Sequence, residues 1–185
     1  IAIVIVWCYI NLNYFSVKIR SFLFAPSSPY NLAVYRILFF FYLGVEYIIH
    51  ALYRIQFIES KPREALPFIG WLIEIIPITK ELYFCMCIGG LVCCFFLITG
   101  LFTRFFLVVN AFVVFYCIAA PNFYGKLWHI QFPIWVSWFL LFAPVSKVFS
   151  LDRLLFRKNE PLYASPDFTF PIKIIWLQLG MIYFW

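Results

Sequence analysis

Two histidines stand in apolar parts of this chain, and both have polar neighbours that could share a proton. His129 opens a long apolar run from Leu127 to Phe149. Burying an ionisable ring at the edge of a membrane span costs free energy, and such residues mark pathways or reaction centres. Proton handling at a lipid boundary is therefore the first functional hypothesis, with His129 at its centre.

The residues around His129 allow two interpretations. Pro133 lies one turn further along and has no N–H, so the carbonyl of His129 loses its usual helical partner. Lys126 and Gln131 are the nearest polar side chains and are candidate acid–base helpers. A reaction centre and plain packing at a helix end explain this pattern equally well.

Glu46 and His50 form the second candidate site, four residues apart in another apolar run. On a helix this spacing places both side chains on one face, where they can form a hydrogen bond or exchange a proton. A carboxylate beside an imidazole supports acid–base chemistry. A structural pair at a helix interface is the alternative.

Arg36 lies in the same run, from Tyr30 to Tyr53. Its long side chain could snorkel to water from about two turns inside the membrane edge. It could equally serve packing or an ion pair inside a helical bundle. The sequence leaves both roles open.

The amino-acid composition predicts that these elements are surrounded by lipid. Of the 185 residues, 65% are hydrophobic and 12% are charged, whereas soluble domains carry about 25% charged residues. The net charge of +6 is spread over loops without a basic face, which favours contacts with lipid headgroups over nucleic acid. The six cysteines lie in apolar runs without the spacing of a zinc site. The chain is therefore predicted to be an integral membrane protein without a metal site.

The apolar runs predict an all-α, polytopic transmembrane helical bundle of five to six spans. We interpret residues 1–185 as one transmembrane domain, truncated at both ends, because the chain starts without Met and stops in an apolar run. The segment from Arg54 to Glu81 is predicted to be interfacial or re-entrant. The candidate spans are Ile1–Phe15, Tyr30–Tyr53, Leu82–Phe102, Phe105–Ala120, Leu127–Phe149 and Pro171–Trp185.

Charged loops predict the orientation of these spans. If all six cross, one side carries eight cations and the other five. The larger group contains Lys18, Arg20, Arg104, Lys147, Arg153, Arg157, Lys158 and Lys173, and the smaller contains Arg54, Lys61, Arg63, Lys80 and Lys126. Lys and Arg accumulate in cytoplasmic loops. The end that holds His129 is therefore predicted to be non-cytoplasmic in a multi-pass protein.

Several motifs resemble one known family. Leu32-Ala-Val-Tyr-Arg36-Ile-Leu resembles the start of the first core span of vitamin K-dependent gamma-carboxylases and their bacterial relatives, the horizontally transferred transmembrane domain family. Gly100-Leu-Phe-Thr-Arg104 resembles the short hairpin between their spans. The interval from His129 to Ser150-Leu-Asp152 also matches, as do Gln178 and Tyr183. The resemblance covers residues 30–185.

The resemblance implies a quinol-dependent carboxylase, a carbon–carbon lyase by class, or a related membrane enzyme. Its cofactor would be a reduced vitamin K-like quinol, its partners membrane lipids, and its substrate a polypeptide glutamate. His129 would be the catalytic residue, whereas Arg36, Arg104 and Asp152 would form the structural motif.

Two departures from the carboxylase pattern keep another function open. Trp128 stands where the carboxylases have Asn before the histidine, and their Ala-Gly-x-x-Lys stretch would fall beyond Trp185. The alternative is a non-catalytic membrane module that binds a lipid or a quinone. A transporter is the third option, although the single proline-interrupted span and the lack of internal repeats favour it least.

Overall fold

The structure is a computed structural model that describes residues 16–57, 79–119, 132–156 and 163–184. The predictions for Ile1–Phe15, for most of Arg54–Glu81, and for Lys126, His129 and Gln131 lie outside these ranges. Within them the chain is all-helical, as predicted, and residues 16–24 are helical. The elements that follow are α1 (Pro29–Ile49), α2 (Lys80–Thr99), α3 (Thr103–Val114), α4 (Phe132–Phe142), α5 (Leu151–Phe156) and α6 (Pro166–Phe184).

Helix α1 begins at a signal that the sequence contains. The hydroxyl of Ser28 accepts a hydrogen bond from the Tyr30 N–H at 3.3 Å, and Pro29 occupies the first turn. A serine cap followed by proline is a common helix start, because proline has no N–H to leave unsatisfied there. Past Ile49 the chain continues as a π-helical turn, His50–Arg54, and the whole helical stretch agrees with the span predicted for Tyr30–Tyr53.

Helices α2 and α3 form the predicted tight hairpin. Gly100 ends α2 with φ of 72°, a left-handed conformation that glycine adopts without steric cost. A Cβ at this position would lie 2.7 Å from the Cα of Ser150, so the close approach of that segment also requires glycine. Helix α3 continues past Val114 as a second π-helical turn, Phe115–Ala119.

The prediction of one helix reaching Phe149 is wrong, since α4 ends at Phe142. Pro144 has no N–H and disfavours the helical conformation of the residue before it, Ala143. Residues 143–150 then cross the end of the bundle as an irregular segment, in which Val145 and Val148 are buried. Its carbonyl groups must be satisfied by other parts of the chain.

Helix α6 also differs from the prediction, because it begins at Pro166 and not at Pro171. Pro171 lies inside the helix and leaves the carbonyl of Asp167 without its usual partner. The start of α6 is held to the segment before α1. Ser27 and Ser165 form an antiparallel backbone bridge, and the Thr169 hydroxyl donates to the carbonyl of Ala25.

The core lies where α1, α2, α3 and α4 pack together, with α6 against α1 and α4. Its fully buried members include Phe40, Leu43, Leu97, Leu107, Val114, Leu140 and Ile175. Two helical stretches of the described chain, Pro29–Arg54 and Lys80–Thr99, are long and apolar enough to cross a membrane. The most apolar windows of these two are only 44% and 33% buried, so much of their apolar surface faces outward.

Gly90 on α2 gives the first testable prediction. A Cβ at this position would lie 2.6 Å from the ring of Tyr47 on α1. The buried ring cannot move away easily, because its hydroxyl is hydrogen-bonded to Asn110. We expect Gly90→Ala to lower the free energy of unfolding by about 1–3 kcal/mol, the usual cost of overpacking, measured by thermal unfolding in detergent.

The adjacent glycine is a matched control. A Cβ on Gly89 would meet no atom within 4 Å. Gly89→Ala should therefore leave stability unchanged or raise it by up to about 1 kcal/mol through the better helix propensity of alanine. Equal effects of the two substitutions would contradict the close packing of α1 against α2.

Candidate functional site

Glu46 and His50 lie together near the end of α1, as the sequence predicted. His50 Nε2 is 3.9 Å from Glu46 Oε2, which is too long for a hydrogen bond, and the two side chains attract as an ion pair only when the ring is protonated. The side chain of His50 is 2% exposed, whereas that of Glu46 is 23% exposed and accepts a hydrogen bond from the Tyr42 hydroxyl at 3.0 Å. Glu46 thus connects a buried imidazole to the outer face of the helix.

Tyr83 on α2 is the partner that sequence reasoning missed. Its hydroxyl oxygen lies 2.5 Å from His50 Nδ1, and its O–H donates to the carbonyl of Cys117 at 3.0 Å. Since the tyrosine proton points to that carbonyl, the phenol oxygen accepts the Nδ1–H of His50. The neutral ring then has its lone pair on Nε2, the nitrogen that lies 3.9 Å from Glu46 Oε2. We call Glu46, His50, Tyr83 and Cys117 the histidine cluster.

Both π-helical turns meet at the histidine cluster. His50 begins the turn His50–Arg54, and Cys117 lies in the middle of the turn Phe115–Ala119. Such turns displace backbone hydrogen bonds by one residue and occur frequently at functional sites. Here they bring the imidazole of one helix and the carbonyl of another to the same tyrosine hydroxyl. Nothing in the residue pattern of either segment predicts them.

Chemically, the cluster brings an imidazole, a phenol and a carboxylate together inside the bundle. A proton that arrives at His50 Nε2 produces an imidazolium held between the Glu46 carboxylate and the Tyr83 oxygen. The Glu46 carboxylate and the hydrogen bond favour this cation, whereas burial and the nearby cation Arg54 oppose it. Glu46, whose side chain is 23% exposed, is the member of the cluster that reaches the surface.

A second buried network joins three helices through side chains that the sequence analysis did not select. The Tyr47 hydroxyl donates to Asn110 Oδ1 at 3.1 Å, and Asn110 Nδ2 lies 3.5 Å from the hydroxyl of Ser137. Ser137 in turn donates to the carbonyl of Pro133 at 2.8 Å. Asn110 and Ser137 are fully buried. These bonds link α1, α3 and α4 and serve the packing of the bundle.

At the opposite end of the bundle, the three residues assigned to the structural motif come together. The Asp152 carboxylate accepts from the Phe102 and Thr103 N–H groups at 2.7 and 2.8 Å and from the Thr103 hydroxyl, so it caps α3. Its own N–H donates to the carbonyl of Gly100 at 3.0 Å, as does the hydroxyl of Ser150 at 2.7 Å. We call these contacts the Asp152 clasp.

Arg36 and Arg104 hold the segment that follows α4. Arg36 is fully buried, and its guanidinium donates to the carbonyls of Val145, at 2.6 Å, and of Phe149. Arg104 donates to the carbonyl of Leu141. Of the two roles predicted for Arg36, the role inside the bundle is confirmed and snorkelling is wrong. Its partners are carbonyls that the early end of α4 leaves unsatisfied.

The cysteines of the described chain do not form a metal site. Among the described residues, no group of three His, Cys, Asp or Glu side chains is close enough to hold a metal ion. Cys87 and Cys117 are buried with their sulfurs 3.8 Å apart, and Cys85 is exposed on the other side of α2.

No family model, curated protein or solved structure matches the chain.

Proposed function

We propose that this chain is a multi-pass integral membrane protein with the scaffold of the vitamin K-dependent gamma-carboxylases. In this proposal the His129 end is non-cytoplasmic, and the chain supports a quinol-dependent reaction such as carboxylation. The single observation that carries an enzymatic function is the buried His50–Tyr83 hydrogen bond with Glu46 at its outer end. A structural pair would need neither a surface-connected carboxylate nor an imidazole nitrogen with an available lone pair.

The membrane setting has support of its own. Large apolar side chains are exposed around the bundle, among them Leu38, Phe41, Leu52, Phe95 and Phe142. Five polar side chains inside the helices, by contrast, are hydrogen-bonded to one another: Tyr47, Asn110 and Ser137 form one group, and His50 and Tyr83 form another. A lipid environment requires this distribution, with apolar side chains on the outer surface and hydrogen-bonded polar side chains in the interior.

In this proposal a quinol meets the histidine cluster through Glu46, because the Glu46 side chain is 23% exposed and that of His50 is 2% exposed. A quinol ring is apolar and carries two hydroxyls, which need acceptors able to take up a proton. His50 Nε2 would take up the proton by way of Glu46, and the exposed apolar side chains of the bundle would contact the ring. When bound, a quinol supplies the electrons with which oxygen is activated in the carboxylase reaction. The role of this chain is to receive and export the proton through His50 and Glu46, with His129 as the second proton-handling residue.

The direct test uses the full chain purified into lipid nanodiscs. Reduced vitamin K, oxygen, ¹⁴C-bicarbonate and a glutamate-containing peptide are supplied, and both quinol consumption and labelled peptide are measured. We expect quinol-dependent labelling, and we expect His129→Ala to abolish it while the protein stays folded. Full activity of that variant would remove His129 from the mechanism.

The second candidate is a non-catalytic module that binds a lipid or a quinone. Trp128, in place of the asparagine of the carboxylases, favours it. The same nanodiscs separate the two functions, because quinone binding also quenches tryptophan fluorescence. Saturable quenching without quinol consumption supports the binding module. The absence of both contradicts both candidates.

A further inference from the structure

A groove at the Asp152-clasp end of the bundle, remote from the histidine cluster, combines apolar walls with two opposite charges. Its volume is about 590 Å³, within the range of roughly 300–1,000 Å³ typical of ligand sites. Arg104, at the start of α3, and Asp167, in the first turn of α6, both line it. Apolar side chains form the walls, among them Phe24, Phe142, Pro144 and, from α6 itself, Ile174.

The apolar walls are fixed in place and lead to the outside of the bundle. The rings of Phe24 and Phe170 stack with their centroids 5.1 Å apart. The hydrogen bond of Thr169 to Ala25 holds the two segments together. Phe142 at the end of α4 is 80% exposed, so one wall continues onto the outer face. An elongated apolar group can therefore enter the groove from the side, as an acyl chain in a bilayer would.

Arg104 is positioned as a phosphate ligand. Its Nη1 donates to the carbonyl of Leu141, which anchors the guanidinium beside the end of α4. A guanidinium has five N–H groups in a planar fork, so it serves several acceptors at once. This fork matches the oxygens of a phosphate and is weakly hydrated, which suits a site at the edge of an apolar groove.

Asp167 is positioned as an ammonium ligand. Its side chain is exposed, and its backbone carbonyl lacks the usual helical partner because Pro171 has no N–H. A primary ammonium has three N–H donors. The carboxylate and the carbonyl of one residue can thus accept from the same headgroup. A quaternary ammonium has no N–H and forms neither bond.

We propose that this groove binds phosphatidylethanolamine, with its phosphate at Arg104, its ammonium at Asp167 and an acyl chain along the apolar walls. The opposite charges select a zwitterionic headgroup over an anionic one. The carboxylate and the carbonyl of Asp167 select a primary amine over choline. The site is separate from the histidine cluster and does not depend on the proposed function.

A headgroup series tests the proposal without changing the protein. The full chain is purified in detergent and delipidated, and lipid binding is measured by native mass spectrometry. Phosphatidylethanolamine, its N,N-dimethyl derivative, phosphatidylcholine and phosphatidylglycerol with identical acyl chains are compared. We expect phosphatidylethanolamine to bind about tenfold more tightly than phosphatidylcholine, as a hydrogen bond to a charged group contributes. The dimethyl lipid should fall between them.

Substitutions then assign the two ends of the headgroup. Asp167→Asn should reduce the preference for the ethanolamine lipid over the choline lipid, because it removes the charge and leaves the backbone carbonyl, whereas Arg104→Gln should weaken both by about tenfold. Arg20→Gln is the control, because Arg20 is an exposed cation outside the groove, and it should change neither. Equal binding of the two lipids by the unaltered protein, or tighter binding of phosphatidylglycerol, overturns the proposal. An unchanged preference in a folded Asp167→Asn variant does so as well.

Discussion

Replacing Arg36 with leucine is expected to lower the free energy of unfolding by about 2–4 kcal/mol, because it leaves one buried and one partly buried carbonyl without a donor. The guanidinium donates to Val145 and Phe149 in the irregular segment after α4, where no helical N–H is available. Each unsatisfied buried carbonyl costs about 1–3 kcal/mol. The substitution also removes the buried charge of Arg36 and its desolvation cost, which offsets part of this loss. Thermal unfolding in detergent, followed by circular dichroism, would show the loss as a lower midpoint.

Arg36→Lys is the matched variant, because it keeps the charge and most of the length. A single ammonium lacks the planar fork that reaches both carbonyls, so we expect an intermediate loss. A leucine variant as stable as the unaltered protein would mean that residues 143–150 find other donors. We expect the Arg36→Leu variant to be the least stable, the Arg36→Lys variant to be intermediate and the unaltered protein to be the most stable.

Replacing His50 with asparagine is expected to lower quinol-dependent activity by about 10²–10⁴-fold, the usual contribution of a positioned acid–base group. The asparagine Nδ2 can occupy the place of the imidazole Nδ1 and keep the hydrogen bond to Tyr83. It cannot take up a proton. Folding should therefore survive while proton transfer is lost, and the nanodisc assay of quinol consumption measures the difference.

Glu46→Gln gives the comparison within the same cluster. It removes the charge 3.9 Å from His50 Nε2 but breaks no hydrogen bond of the ring. We expect a smaller loss of activity than with His50→Asn, together with unchanged thermal stability. Full activity of a folded His50→Asn variant would reduce the histidine cluster to a packing feature.

The sequence was informative where a single residue type has one physical consequence. Ser28 and Pro29 mark the start of α1, and Gly100 marks the turn between α2 and α3, because each meets a backbone requirement that few residues meet. Pro144 carried an equally clear signal for the end of α4, which the long apolar run around it obscured. The hydrophobicity of a segment indicates whether it is surrounded by lipid or by water, but it does not indicate where its helix ends.

The candidate site was only half predictable. The spacing of Glu46 and His50 places them on one face of a regular helix, and they are neighbours in the structure. Tyr83 was not selected because tyrosine in an apolar run is equally typical of an interfacial anchor. Asn110 and Ser137 did carry a signal, since polar side chains inside apolar helices need partners. Which partners they find depends on how the helices pack.

The Asp152 clasp has a consequence for how the chain is made. The carboxylate that caps α3 comes from a residue synthesised after α4, about fifty positions after the amides it binds. During translation the hairpin of α2 and α3 therefore exists first with an unfinished turn. It becomes locked only when Ser150 and Asp152 emerge and fold back onto it. Chains interrupted before that point should retain the hairpin in a form that proteases digest more readily.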